Sequence, residues 1–330
     1  MKDLFPPPAR EMPAGRLDAR RAHLMAEMDG RVRRPRRLVV GGLVATGLAG
    51  AVAAAVIVPG DATAPRPDGP PSAALDDARV VLVRAAEAAA ARPDVRPRPD
   101  QFIYWESKGS RLELSADSVT RKFTAKRGPM IGRNEWLSVS GKRAGLLRES
   151  GDRARWLCDQ DPELRGYSDV VKDVNRPPTG CEGVPAYRPN VPTDARRMRD
   201  WIYREAQGGN SRDGAAFTKV GDMLRGNYLS PAMLAAMFRA AATIPGVTVT
   251  RDVVDLAGRK GIGIGRTERG MREELILDER TYELRGTRGV LTEDTAMTRR
   301  SGFGGFKPGE VLSSWAILKV AIVDEVDQRS

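Results

Sequence analysis

The sequence predicts an α+β fold with a mainly antiparallel sheet, preceded by one membrane-spanning helix. Three observations carry this. A 21-residue stretch without charge, Leu38 to Val58, follows a cluster of arginines. Beyond it and one further helix, short β-rich runs are followed by a block of helical periodicity and then by β-rich runs again. The runs are linked by hairpin-length turns rather than by alternating helices, which excludes a doubly wound parallel sheet.

The chain has 330 residues and a formal net charge of +11. Residues 1–37 hold ten Lys/Arg and five Asp/Glu, so the short tail carries +5 of it. Arginine outnumbers lysine 44 to 10, which makes the high pI partly a matter of codon usage. The densest basic cluster, Arg31, Arg33, Arg34, Arg36 and Arg37, abuts the apolar stretch. A membrane explanation fits that footprint better than nucleic acid, and no nucleic-acid partner is expected.

At 1.5 Å per residue the 38–58 segment spans about 30 Å, the hydrocarbon thickness of a bilayer. The positive-inside rule then sets the N-terminus in the cytoplasm and the C-terminus outside, giving a single-pass plasma-membrane protein. The competing reading is a cleaved signal peptide. The apolar stretch exceeds an ordinary h-region, and Ala62-Thr63-Ala64 is followed by Pro65, a poor cleavage context. Gly42, Thr46, Gly50 and Ala54 share one face and would allow close helix pairing, but Ala and Gly are common throughout the segment.

The expected organisation is therefore a basic cytoplasmic tail (1–37), a transmembrane helix (38–58), a Pro-rich linker (59–72) and an exported α+β domain (73–330). In the tail, Leu17, Leu24, Met25 and Met28 form a helical apolar stripe with no core of its own, a candidate docking element for a cytoplasmic regulator.

Within the exported domain, Ala73–Ala91 reads as a helix whose stripe is Leu75, Ala78, Leu82, Ala85, Ala86 and Ala89. Pro93, Pro97 and Pro99 end it. Strands are expected at Gln101–Ser107, Arg111–Ser115, Ser118–Thr124 and Glu135–Ser140. Helical periodicity returns at Asp194–Gln207 (Met198, Trp201, Ile202, Ala206) and Ala215–Arg225 (Phe217, Val220, Gly221, Leu224). Ser230-Pro231 is a capping residue followed by a first-turn proline, opening a helix with Leu234, Met237, Phe238 and Ala241 on its stripe. Strands follow at Val247–Val254, Gly261–Arg266, Arg272–Leu277, Tyr282–Val290 and Val311–Val323. The last is apolar on both faces and suits a central strand covered on both sides.

Cys158 and Cys181 both fall outside the membrane on this topology and are expected to pair in an oxidising compartment. The alternative, two free thiols, lacks C-x-x-C spacing.

The chemistry of the exported domain is bounded by what it lacks. The one histidine, His23, is in the tail, so the exported domain has no imidazole for a nucleophile–His pair or for zinc. No Ser-x-x-Lys occurs. Gly261-Ile-Gly263-Ile-Gly265 lacks the dinucleotide spacing and reads as a strand. Carboxylates remain for hydrolase-type chemistry: Glu273 and Glu274, or Asp152, Asp159 and Asp161 near Cys158. No catalytic residue, metal site or cofactor is expected.

Several segments carry a resemblance. They are the Arg cluster before the apolar helix, Phe102-Ile-Tyr-Trp-Glu-Ser107, Thr193-Asp194 and Gly209-Asn210-Ser211. Ala216-Phe-Thr-Lys-Val-Gly-Asp222 and Ala240-Ala-Ala-Thr-Ile-Pro-Gly-Val247 complete the set. Together, over almost the whole chain, they resemble a family of actinobacterial single-pass membrane proteins of unassigned function, often encoded beside extracytoplasmic-function sigma factors. The resemblance implies an envelope-signalling role and no catalytic motif. The strand–helix–strand plan also looks like the half-open sheet of lipoprotein-carrier-like domains, which at fold level implies a curved sheet. The leading expectation is a non-enzymatic sensor or accessory regulator that binds a lipid or protein partner. One alternative is an anti-sigma factor acting through the tail, although that tail has His23 and no cysteine. The other is a carboxylate-dependent envelope hydrolase.

Overall fold

The computed structural model describes residues 72–117, 120, 122–150, 154–158, 171, 173–207 and 211–329. The tail stripe Leu17–Met28, the arginine cluster 31–37, the apolar 38–58 stretch and Asp152, Asp159 and Asp161 lie outside the described residues. No helix among the described residues is long and apolar enough to cross a membrane.

Helix α1 (Ser72–Ala90) leads into strands β1 (Phe102–Ala116), β2 (Phe123–Ser138), β3 (Gly145–Glu149) and β4 (Arg155–Leu157). Helices α2 (Ala195–Glu205), α3 (Arg212–Gly226) and α4 (Pro231–Ala241) follow. Then come β5 (Val247–Val254), β6 (Lys260–Glu268), β7 (Met271–Leu277) and β8 (Leu284–Leu291), the short α5 (Ala296–Thr298), and β9 (Val311–Val323). One nine-stranded sheet holds all the strands, in the order β4-β3-β2-β1-β9-β8-β7-β6-β5. Every strand pair is antiparallel. The fold is thus α+β: two meanders, one from each half of the chain, zipped together by β1 and β9.

Local sequence explains the helices. Asp194, Ser211 and Ser230 each accept a backbone N–H from the first turn, and Pro231 occupies the first turn of α4, where its missing N–H costs nothing. The stripes pack as the 3.6-residue period requires. Ala78, Leu82, Ala85, Ala86 and Ala89 of α1 share one core with Met198 and Ile202 of α2, Phe217, Val220 and Leu224 of α3, and Met237, Phe238 and Ala241 of α4. Val247, Ile262, Ile264, Leu275 and Leu277 supply the sheet side of this core. A second cluster, built on Phe102, Tyr104, Trp136 and Leu146, contributes to the core of the other half of the sheet.

Three strand expectations are corrected. Gln101–Ser107 and Arg111–Ser115 form one strand, β1, with an irregularity between Ser110 and Leu112. Of the run expected at Ser118–Thr124 only Phe123 and Thr124 are shown in a strand, and they share it, β2, with Glu135–Ser138 of the next expected run. Gly128 and Pro129 lie within β2 opposite that irregularity, where a proline forfeits no ladder bond. Tyr282 stands outside β8 with φ 54°, in the turn before it.

Strand β9 is central, the fifth of nine, but it is not covered on both sides. Leu318 and Val320 are 41% and 46% exposed. The β1–β9 register shifts between Glu106 and Ser107, pairing Val320 with Trp105, and β8 pairs with β9 only as far as Ala316. Beyond that residue β9 has a single sheet neighbour, so its apolar side chains lose half their lateral cover.

Candidate functional site

The corner where α2 gives way to α3 collects polar chemistry on both of its flanks. One cavity, of about 280 Å³, is lined by Glu205, Gln207, Ala215, Thr218, Lys219 and Asp222. A second, of about 490 Å³, is lined by Arg199, Asp200, Tyr203, Arg204, Arg212 and Asp213. The linings are polar and charged rather than the apolar walls an acyl chain would need.

Beneath the first cavity runs a polar seam between α3 and the sheet. Thr218, one α-helical turn from Asp222, donates its hydroxyl to Glu273 of β7 at 3.0 Å. Asp222 accepts from Arg225 at 2.8 Å. Burial pushes the Glu273 carboxyl above its ordinary value despite the Thr218 bond and the Arg225 charge. Burial likewise pulls the Arg225 guanidinium down, against the opposing pull of Asp222.

Glu274, the next residue along β7, has the opposite environment. Strand alternation turns it to the other face of the sheet, where its side chain is 1% exposed. It accepts from Arg272 at 2.6 Å, Arg288 at 2.5 Å and Thr250 at 2.8 Å. Burial alone would raise its pKa, but the Arg272 and Arg288 charges and these hydrogen bonds outweigh that and hold it below the ordinary value. The glycines of the Gly-Ile-Gly-Ile-Gly run make room for it. A Cβ at Gly265 would stand 2.6 Å from the Glu274 Cγ, and one at Gly263 3.2 Å from its carboxyl carbon. That run lies in β6 and lines this pocket instead of cradling a phosphate. Glu273 and Glu274 therefore point to opposite faces and do not converge on a common substrate position.

Around the second cavity, Tyr203 is held by charge. The Arg199 guanidinium lies 4.6 Å from its ring centroid and that of Arg212 lies 5.4 Å away. The phenol donates to Asp213 at 2.7 Å. Burial and this carboxylate push the Tyr203 hydroxyl up to about 12.

Cys158 and Cys181 form a disulfide with Cα atoms 5.1 Å apart. It links Cys158, just after β4, to Cys181, which follows the turn at residues 179–180. Among the described residues no group of three or more His, Cys, Asp or Glu is placed to hold a metal ion.

Sequence reading missed Arg199, Tyr203, Arg212, Thr218, Asp222 and Arg225. A signal was present: Arg199–Tyr203 and Thr218–Asp222 are spaced i,i+4, and Asp222–Arg225 i,i+3, the spacings at which helical side chains meet. What spacing could not supply was their strand partner Glu273 or the packing of α3 against α2. Compared with known proteins, the chain matches no family model, no curated protein and no solved structure.

Proposed function

We propose that this chain is a non-enzymatic, membrane-anchored envelope protein, a sensor or accessory regulator of sigma-factor-linked signalling, whose exported domain recognises a polar ligand at the α2–α3 corner. The observation that carries the reading is the pair of charged cavities flanking that corner. Recognition of a polar group needs convergent donors and acceptors on rigid elements, and two capped, core-packed helices supply them. The same observation weighs against the acyl-chain form of the lipid expectation.

The anchor and the N-in orientation rest on the apolar 38–58 segment and the five arginines before it. The Cys158–Cys181 disulfide agrees with an oxidising compartment. The half-open, lipoprotein-carrier-like form of the sheet draws support from two contacts. Arg259, just before β6, donates to the backbone oxygens of Arg285 in β8 and Ile317 in β9. On a flat sheet β6 and β9 would lie about 14 Å apart. Arg225 also feels the charges of both Glu273 on β7 and Glu135 on β2, which three strands separate. Segments of the family resemblance, Thr193-Asp194 and Ala216–Asp222, include the cap of α2 and the cavity-lining face of α3.

The test is genetic. Cells lacking the chain, cells expressing it without residues 1–37, and cells expressing T218A/D222N are compared with a sigma-dependent promoter reporter. Changed reporter output in the deletion strain, reproduced by T218A/D222N, is expected. An unaltered reporter in the deletion strain refutes the regulatory reading. Protection of residues 73–330 from external protease in intact cells refutes the orientation.

A further inference from the structure

Two arginines at the second cavity make no ion pair within the described fold. Arg199 belongs to α2 and Arg212 to the first turn of α3, and both lie over the ring of Tyr203. Among the described residues neither guanidinium meets a carboxylate. The other charges nearby are engaged: Arg204 bonds Glu205 at 3.2 Å, and Asp213 accepts from the Tyr203 hydroxyl. Asp200 lines the same cavity and also has no ion-pair partner among the described residues. Two guanidiniums and one carboxylate without ion-pair partners among the described residues thus line this half-open depression.

The chemistry of these groups selects the ligand. An aromatic ring beneath a guanidinium fixes its plane and leaves its edge N–H groups free to donate. Two such forks from different helices can share the several oxygens of a phosphate, whereas a planar carboxylate offers only two. A lone carboxylate beside them accepts hydrogen bonds, which suits hydroxyl groups next to the phosphate. We propose that the depression at Arg199, Tyr203 and Arg212 binds a phosphorylated polyol, its phosphate on the two guanidiniums and a hydroxyl on Asp200. The inference rests on the α2–α3 corner being the recognition surface and names the ligand class for one of its cavities.

Such a group reaches the site either as a soluble molecule or as a phospholipid headgroup. The experiment uses the full chain in phosphate-free buffer and non-phosphorus detergent, titrated calorimetrically with inorganic phosphate, glycerol 3-phosphate and myo-inositol 1-phosphate. Saturable binding is expected, with the polyol phosphates about tenfold tighter than phosphate through the added charge-assisted hydrogen bond. D200N should remove that preference, R199Q/R212Q should weaken binding at least tenfold, and R239Q, on α4, should leave it unchanged. R199K/R212K keeps the charge but loses the forks, and it serves if the glutamine pair perturbs near-ultraviolet dichroism; a clear loss of affinity is expected there too. No saturable binding of any probe, or binding that survives both double variants, overturns the proposal. Equal affinity for phosphate and both polyol phosphates overturns the polyol assignment. In phosphatidylcholine nanodiscs, competition by added phosphatidylinositol identifies a headgroup source, and unchanged probe binding identifies a soluble one. A chain that binds no phosphate yet still controls the reporter leaves the regulatory reading standing.

Discussion

Two glutamates adjacent in sequence should respond to neutralisation with opposite signs. Glu274→Gln removes the shared partner of Arg272 and Arg288 at a position only 1% exposed. Breaking a buried ion pair from one side leaves the other charges desolvated and uncompensated, which costs about 3–5 kcal/mol. For a domain of this size that lowers Tm by roughly 10 °C. Glu273→Gln keeps a group able to accept from Thr218 and removes a carboxylate that burial already disfavours. The linkage signs agree. The Glu273 pKa is raised in the fold, so its contribution is present below 4.5 and is lost as pH rises through the folded value. The Glu274 pKa is lowered, so its contribution is present above 4.5 and is lost as pH falls through the folded value. Thermal unfolding of the full chain in detergent, followed by near-ultraviolet dichroism from pH 3 to 8, reads both effects. At pH 7, E273Q is expected to match or exceed the parent and E274Q to fall well below it. E274Q within about 1 kcal/mol of the parent, or E273Q as damaging as E274Q, refutes the assignment of the two residues to opposite environments.

Removing the disulfide by C158S/C181S opens a loop with a sequence separation of 23 and should cost about 3 kcal/mol on the chain-entropy estimate. Urea midpoints of the variant and parent, the parent with and without reductant, check this, and an unchanged midpoint contradicts it. Gly109→Ala places a Cβ 2.3 Å from the Trp315 ring, so the indole must shift, at about 1–3 kcal/mol. Altered Trp emission together with a lower Tm is the expected readout. Ser230→Ala deletes the side-chain acceptor for the Met233 N–H at the start of α4 and should cost about 1 kcal/mol, measured the same way.

Much of the secondary structure was legible because it rests on local causes. Ser230-Pro231 and Asp194 start their helices for reasons contained within four residues of chain. Val247–Val254 and Val311–Val323 are rich in β-formers and became strands with those same bounds. The errors fell where a neighbour overrode a local signal. The sequence predicts two separate strands at Ser118–Thr124 and Glu135–Ser140, yet residues 123–138 form one strand held by pairing with β1 over more than a dozen positions. Gly261-Ile-Gly263-Ile-Gly265 was legible as a strand, but the reason for its glycines was not. The groups that need the space, Glu274 and Val253, lie outside the run.

The candidate site was almost illegible for the same reason. Glu273 and Glu274 look equivalent in one dimension. Only the pleat of β7 sends one to Thr218 and Arg225 and the other to Arg272 and Arg288. By itself the sequence determined the Ser230 cap, most strand positions and the antiparallel α+β class, from local pattern and composition, and it led to the expected pairing of its two cysteines through their compartment. The tertiary structure alone decided that β1 and β9 join the two halves, that β9, central as its apolar run suggested, is partly open, and that Arg199 and Arg212 meet over Tyr203. Those outcomes depend on which distant surfaces bury each other, and burial is a property of the packed chain rather than of any window within it.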